Sequence, residues 1–294
     1  MILKLNKEPP MKSGKFVNTN GIKLHLAEAG KPDDPCLVFL HGFPDFSHGW
    51  RFQAAFFEEK KFYALMPDQR GYNLSDKPKG IKAYELEVLA RDIRGLLQSL
   101  GRRVWLVGHD WGGTVAWQVA QTWPELLHGL ILVNAPHPEV FWEQLRNNRN
   151  SWLKHSNLLF YQIPGLAEKM LSSGEWVHFS EQFKQSARKG TITENDLKKY
   201  RAAWSQPEAF KSMLNWFRAG FKIKSGAKTT LKIEVPVLFL QGLKDETLSE
   251  EMVKDSLARC KNIQHITIPH AGHWAHLDQN ESVNELMLEF ILAH

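Results

Sequence analysis

Short apolar runs alternate along the first part of the chain with stretches whose apolar positions recur every three or four residues. Cys36-Leu37-Val38-Phe39-Leu40 reads as a buried strand ending at His41-Gly42, and residues 62–68 read as the next strand. From 85 to 100, apolar side chains at Leu86, Leu89, Ile93, Leu96, Leu97 and Leu100 share one helix face, and Gly101 punctuates its end. Residues 104–107 and 130–133 read as strands, with a helix at 114–121 between them. Strand, helix and strand in this order predict an α/β fold, a mostly parallel sheet with helices on both faces.

The alternation breaks after Pro138. Residues 140–221 contain no convincing strand and are rich in Trp, Phe and Leu at helical spacing. Pro164, Pro207 and Ser172-Ser173-Gly174 divide them into short helices. Strand character returns at 235–242 and at 263–268, and 281–293 closes the chain as an amphipathic helix. The pattern predicts a core in two parts, 1–137 and 227–294, interrupted by a helical lid at 138–226. An insertion of that length exceeds an idle loop and is expected to cover an active site.

Composition narrows the function classes. Hydrophobic residues at 43% and charged residues at 23% are those of an ordinary globular chain of 294 residues, which excludes disorder, collagen and coiled coil. Lys and Arg number 37 against 32 Asp and Glu, for a net charge of +5. With no long basic run, nucleic acid is not the expected partner. Cys36 and Cys260 have no metal-ligand or redox spacing, so two thiols in a reducing compartment are expected. No run approaches the ~18 apolar residues of a membrane helix. The first ten residues include Lys4, Lys7 and Glu8 and lack a signal peptide's apolar centre, so the expected location is cytoplasmic.

The chemistry concentrates in Val104-Trp105-Leu106-Val107-Gly108-His109-Asp110-Trp111-Gly112-Gly113. A strand runs through Gly-x-Asp-x-Gly into a helix, the spacing of a nucleophile elbow with Asp where Ser is more familiar. Such a turn is tight enough to strain its central residue and to leave no room for side chains at the flanking glycines. The following helix directs its N-terminal amides at the carboxylate. Gly-rich turns of this kind also bind phosphate, but Asp110 would repel one, and the Lys of a P-loop is missing.

An acid and a histidine follow in the expected order. Asp245 lies just past the 235–242 strand, and His273 past the strand ending near 268, within His270-Ala271-Gly272-His273-Trp274. Both positions are C-terminal strand ends, where open parallel sheets place ligands. His270 and His276 are the rival histidines. His41-Gly42-Phe43-Pro44 ends an earlier strand, so the Phe43 N–H can join that of Trp111 in an oxyanion hole.

Taken with Asp68-Gln69-Arg70-Gly71-Tyr72, Asn134-Ala135-Pro136-His137-Pro138 and Gly272-His273-Trp274, these motifs resemble the α/β-hydrolase superfamily, in its epoxide hydrolase and haloalkane dehalogenase branch. His41-Gly42-Phe43-Pro44 and Asn134-Ala135-Pro136-His137-Pro138 resemble the epoxide hydrolase side. The resemblance implies a small apolar organic substrate and no metal or organic cofactor. His41, His109, Trp216, Phe217 and Trp274 are expected around the pocket.

An Asp nucleophile constrains the reaction. Ser attacking a saturated carbon would form an ether that water cannot readily cleave. A carboxylate forms an alkyl ester, and water at its carbonyl restores the Asp. Asp110 therefore points to an epoxide carbon or a carbon bearing halogen. His273 would activate the water, and Asp245 would orient the imidazole and stabilise its cation.

Family epoxide hydrolases supply two lid Tyr hydroxyls to the opening ring. The positions that resemble theirs hold Asn157, in Ser156-Asn157-Leu158-Leu159-Phe160-Tyr161-Gln162-Ile163-Pro164, and Phe217, in Leu214-Asn215-Trp216-Phe217-Arg218. Tyr161 lies one helical turn from Asn157 and is the replacement candidate, with Asn157 as a weaker donor; the alternative for Tyr161 is packing between lid helices. Tyr200 reads as surface or scaffold. In the dehalogenase alternative, halide would take indole N–H donors from Trp111 and from Trp152, Trp176, Trp204 or Trp216. Haloacids are not expected, because Trp111 occupies the place of the Arg that would clamp their carboxylate. A third alternative is a protein of this fold that binds a ligand without turnover.

Overall fold

The computed structural model describes residues 12–223 and 232–294. Eight strands form one sheet: β1 (Lys12–Thr19), β2 (Ile22–Ala29), β3 (Cys36–Leu40), β4 (Tyr63–Pro67), β5 (Val104–His109), β6 (Leu127–Val133), β7 (Val237–Gly242) and β8 (Ile263–Ile268). Their spatial order is β1-β2-β4-β3-β5-β6-β7-β8. Every pair from β4 to β8 is parallel, as the strand–helix alternation predicts.

The antiparallel pairs β1–β2 and β2–β4 were not among the expected elements. Their signal is present in the chain. Thr19 pairs with Ile22 across Asn20-Gly21, both at positive φ, the two-residue turn that joins antiparallel strands. Alternation in these strands is weaker than in the core runs, because β1 lies at the sheet edge.

Alternate residues of the inner strands feed two cores. Leu37 and Phe39 pack with Ala54 and Phe57 of α1 (Arg51–Glu59) and Met287 and Phe290 of α13 (Asn280–Ala293). Val38 and Leu40 pack on the other face with α2 (Leu86–Ser99) and α3 (Asp110–Thr122). Helix α3 begins four residues earlier than the periodicity suggests, so that Asp110 directly follows β5.

Between β6 and β7 the described residues form helices and no strand: α4 (Pro138–Asn147), α5 (Arg149–Lys154), α6 (Asn157–Tyr161), α7 (Leu166–Leu171), α8 (Val177–Gln185), α9 (Glu194–Trp204) and α10 (Ala209–Gly220). The expected boundary at 226 and 227 lies outside the described residues, as do the first ten. After β7 come α11 (Glu250–Leu257) and, between β8 and α13, α12 (Ala275–Asp278). Among the described residues no helix is long and apolar enough to cross a membrane.

Buried polar contacts fasten the insertion to the loops after β3 and β4. Asp196 uses one oxygen to cap α9, accepting from the Thr193 N–H at 2.9 Å. Its other oxygen lies 2.7 Å from His48 Nε2 and 3.4 Å from Arg51 Nη2. Tyr200 is fully buried scaffold whose hydroxyl donates to Asp45 Oδ1 at 2.8 Å. Trp204 and Trp216 donate their indole N–H groups to the carbonyls of Pro44 and Arg70.

Removing one partner of a buried ionic cluster strands the others. Asp196→Ala is expected to cost about 3–5 kcal/mol in urea denaturation. Glu194→Gln, which breaks the exposed Lys184–Glu194 pair, should leave the midpoint in place.

Candidate active site

Asp110 sits at φ +48°, left-handed backbone that strains a residue with a side chain. The turn holds because its neighbours are glycines in contact with backbone. A Cβ on Gly112 would lie 2.1 Å from the Leu40 carbonyl oxygen, and one on Gly108 would lie 2.6 Å from Gly113 Cα. Leu40 is paired with Gly108, so the loop leaving β3 passes beside the carboxylate. The Phe43 N–H donates to Asp110 Oδ2 at 2.9 Å. Burial raises the Asp110 pKa above the ordinary value, against the opposing pull of His273 and of the Phe43 and Trp111 amides.

Asp245 and His273 leave the C-terminal ends of the adjacent strands β7 and β8. His273 Nδ1 lies 2.8 Å from Asp245 Oδ2. The other oxygen, Oδ1, accepts from the Thr247 N–H and hydroxyl at 2.9 and 2.6 Å. Burial works against the imidazolium, yet Asp245, and then Asp110 and Asp278, carry the His273 pKa up to about 9. Asp245 is held below its ordinary value despite burial, by His273 and Thr247.

The histidine loop is fixed from three sides. Asn134 donates to the carbonyls of Gly272 and His273, each at 2.8 Å, and accepts from the Gly242 N–H at 2.8 Å. His109 Nε2 donates to the His273 carbonyl at 2.9 Å. Asp278 accepts from the Gly272 N–H at 3.1 Å and from the Arg188 N–H of the insertion at 2.8 Å. Trp274 donates to the Ser186 hydroxyl at 2.8 Å.

A cavity of about 200 Å³ lies between this constellation and the insertion. Its lining brings together Asp110, His273, Phe43, Trp111, Asn157, Tyr161 and Phe217 from the expected set. Four residues expected around the pocket are not on its wall. His41 is buried, with Nδ1 donating to the Gly42 carbonyl and Nε2 accepting from the Gln69 N–H, so it shapes the loop that carries Phe43. His109 and Trp274 brace the histidine loop, and Trp216 is committed to Arg70. Of the rival histidines, His270 is exposed, and His276 is fully buried with its ring 4.4 Å from that of His109.

Asn157 Nδ2 donates to the Tyr161 hydroxyl at 3.3 Å, so the two candidate donors form one pair on the wall. Burial raises the Tyr161 pKa, and the charge of Asp110 adds to the rise. Arg218 of α10 donates to the Tyr161 carbonyl at 2.9 Å, and the Tyr161 ring lies 5.0 Å from that of Phe217. Among the alternative indole donors, Trp176 is bonded to Ser205, and Trp204 and Trp216 to backbone carbonyls. Trp152 does not line the cavity. Five lining residues had no sequence signal beyond their type: Phe141, Trp142, His155, Thr247 and Leu248.

The family profile described as alpha/beta hydrolase fold matches residues 35–279. The chain belongs to the α/β-hydrolase fold family. It is 40% identical over 277 residues to the AB hydrolase superfamily protein YfhM of Bacillus subtilis (strain 168), covering 94% of this chain and 96% of that one. Identity to epoxide hydrolase 4 of Homo sapiens is 35% over 285 residues, 94% of this chain and 77% of that one. The crystal structure of Bacillus megaterium epoxide hydrolase with an inhibitor superposes with a TM-score of 0.86 at 31% identity, over 94% of this chain and 99% of that one. This α/β-hydrolase is thus epoxide hydrolase-like.

The hydrolase places a further acid beneath the loop that presents the Phe43 amide. Asp45 is fully buried and accepts from the Phe46 N–H at 2.7 Å and from Tyr200, while its Oδ2 has no partner among the described residues. Burial pushes its pKa up to about 7, with Phe46, Tyr200 and Arg51 pulling the other way. Between the ordinary carboxyl range and about 7, the native state therefore holds a proton that the unfolded chain has released. Its contribution to stability falls as pH rises through that window. Asp45→Asn keeps an acceptor for Tyr200 and cannot ionise. The difference between urea midpoints at about pH 5 and about pH 8 should shrink in this variant, and equal differences would count against the assignment.

Proposed function

We propose that this hydrolase opens small epoxides to vicinal diols through an alkyl ester on Asp110. The observation that carries the reading is the Asp110 carboxylate on the cavity wall, held by the Phe43 amide, with the Tyr161–Asn157 pair and His273, itself bonded to Asp245, on the same lining. Its volume, below the usual range of drug-sized ligand pockets, favours a compact substrate. In this reading the helical insertion is a lid at 138–226 that excludes water and supplies the donor.

In the first step an Asp110 oxygen attacks a ring carbon, and the carbon–oxygen bond of the ring breaks. The Tyr161 hydroxyl, oriented by Asn157, gives a hydrogen bond and then its proton to the departing oxygen. In the second step His273 takes a proton from water, and the hydroxide attacks Cγ of Asp110. The charge forming on the ester oxygen meets the Phe43 and Trp111 amides, and Asp245 stabilises the imidazolium. After ring opening, the proton that His273 carries in the free protein replaces the one given by Tyr161. Loss of the alkoxide, which takes a proton from the imidazolium formed in the second step, frees the diol, and the acid proton left on Asp110 returns to His273.

A haloalkane is the second reading, and Trp111 is what favours it. Its side chain lines the cavity, and its indole N–H has no hydrogen-bond partner among the described residues. Halide release without diol formation from epoxides would move the assignment there. Tight binding of an apolar ligand with neither product would favour the non-catalytic alternative.

His273→Gln should stop the second step and leave the substrate attached to Asp110. Mass spectrometry of the peptide spanning the elbow after incubation with a turnover substrate checks this, and an unmodified peptide removes the covalent scheme. Tyr161→Phe should lower kcat by about 10²–10³-fold, the scale of losing an oxyanion donor. Phe217→Tyr adds a hydroxyl beside the same ring and should raise kcat on epoxides, read in the same diol assay.

A further inference from the structure

The wall that the insertion gives to the cavity carries one phenol. Displacement at carbon is in line, so when Asp110 attacks one face of a ring carbon the departing oxygen leaves from the opposite face, on the side of the insertion. Tyr161 of α6 lines that wall, with Asn157 donating to its hydroxyl at 3.3 Å. His155 has given its Nδ1 hydrogen to the Ser151 carbonyl at 2.9 Å. Amide and indole N–H groups, here those of Asn157 and Trp142, form hydrogen bonds but do not part with a proton. Pro138, Phe141, Leu158 and Phe217 complete the insertion's share of the lining with hydrocarbon.

Phe217 of α10 stands beside the phenol where a second donor would serve the same oxygen. Its ring lies 5.0 Å from that of Tyr161, 4.8 Å from that of Phe43 and 5.2 Å from that of Trp111, the last two at right angles. A hydrocarbon ring packed in this way offers the departing oxygen no hydrogen bond. Burial, and after it the charge of Asp110, also raise the Tyr161 pKa against the pull of Asn157, so the one phenol is a weaker acid than in water.

The electron pair of the breaking ring bond goes to oxygen, the new bond forms between that carbon and an Asp110 oxygen, and the Tyr161 proton neutralises the alkoxide. Until that proton has moved, charge that no donor takes stays on the oxygen. With a single weak acid present, the rate of ring opening depends on how well the substrate itself spreads that charge, hence on the acidity of the alcohol being formed. Resting on the epoxide reading, we propose that this protein selects epoxides bearing an electron-withdrawing group on the carbon that keeps the oxygen, and that Phe217 is the residue that sets this preference. Phe217 exchanges no proton and acts by withholding a donor.

The test measures diol formation from four oxiranes that differ in one small group: methyl-, ethyl-, fluoromethyl- and trifluoromethyloxirane. The quantity read is kcat/KM, which covers ring opening from free substrate. In the wild-type protein it should rise through the two fluorinated members to about tenfold or more above methyloxirane. Ethyloxirane, larger without withdrawing electrons, should stay within about threefold of methyloxirane. Phe217→Tyr supplies a second hydroxyl and should raise the methyl member most, lowering the trifluoromethyl-to-methyl ratio by about threefold or more. Diol formation that is flat or falling across the fluorinated members overturns the inference alone, as does a ratio that Phe217→Tyr leaves unchanged. Should Phe217→Tyr fail to fold, Tyr161→Phe removes the remaining acid and should steepen the ratio, and an unchanged ratio there overturns the inference equally. Diol from no member overturns the epoxide reading and this inference with it.

Discussion

The site depends on one strained residue. Asp110 occupies left-handed backbone as the first residue of α3, with no loop between it and β5. That conformation lifts the carboxylate out of the sheet end and leaves it open to the cavity. It is tolerated because the turn is clamped between glycines and the β3 backbone at Leu40. The same close approach delivers the Phe43 amide to Oδ2. Backbone strain, carboxylate presentation and the Phe43 hydrogen bond thus share a single set of contacts. A change that relaxed the turn would remove all three together.

Above that turn, the insertion is fastened by buried groups that give the cavity a fixed roof. Asp196, Tyr200, Trp204 and Trp216 each reach a loop following β3 or β4. Arg218 fixes α6 against α10, so the wall facing Asp110 carries one phenol, on α6, beside the Phe217 ring of α10. In the proposed mechanism the departing oxygen is therefore held from the Tyr161 side, with Asn157 supporting the phenol. A donor set of this shape restricts the orientation of the ring more than it restricts the nature of the far substituent.

The core was legible because parallel strands buried on both faces are written as unbroken apolar runs, and their C-terminal ends mark where ligands sit. Once the order β3, β5, β6, β7, β8 is known, the meeting of Phe43, Asp110, Asp245 and His273 follows. The β1–β2 hairpin was legible only through Asn20-Gly21, since an edge strand carries a diluted pattern. The positions of His41, His109, Trp216 and Trp274 were not readable. Their motifs mark the neighbourhood of the site, but whether a side chain lines a cavity or braces a loop depends on which carbonyl its ring nitrogen finds. Tyr161 was ambiguous for a related reason. Its ring packs between Phe43 and Phe217, both remote in sequence, and no local spacing encodes those contacts.

The proposed chemistry asks His273 to be a cation at one stage and a base at the next, and the electrostatics of the site supply the change. In the free protein its pKa stands at about 9, with Asp245 the main favourable partner and Asp110 a second one. Burial raises the Asp110 pKa, and the resulting imidazolium opposes that rise. Ester formation removes the Asp110 charge. His273 then loses one of the carboxylates that held its proton, and its pKa falls toward the range in which it can accept one from water. Asp245 remains, bonded through Nδ1 and fixed by Thr247, so the ring keeps its orientation while its basicity comes into use. In the proposed mechanism, alkylation of Asp110 is thus itself the event that prepares the base for hydrolysis.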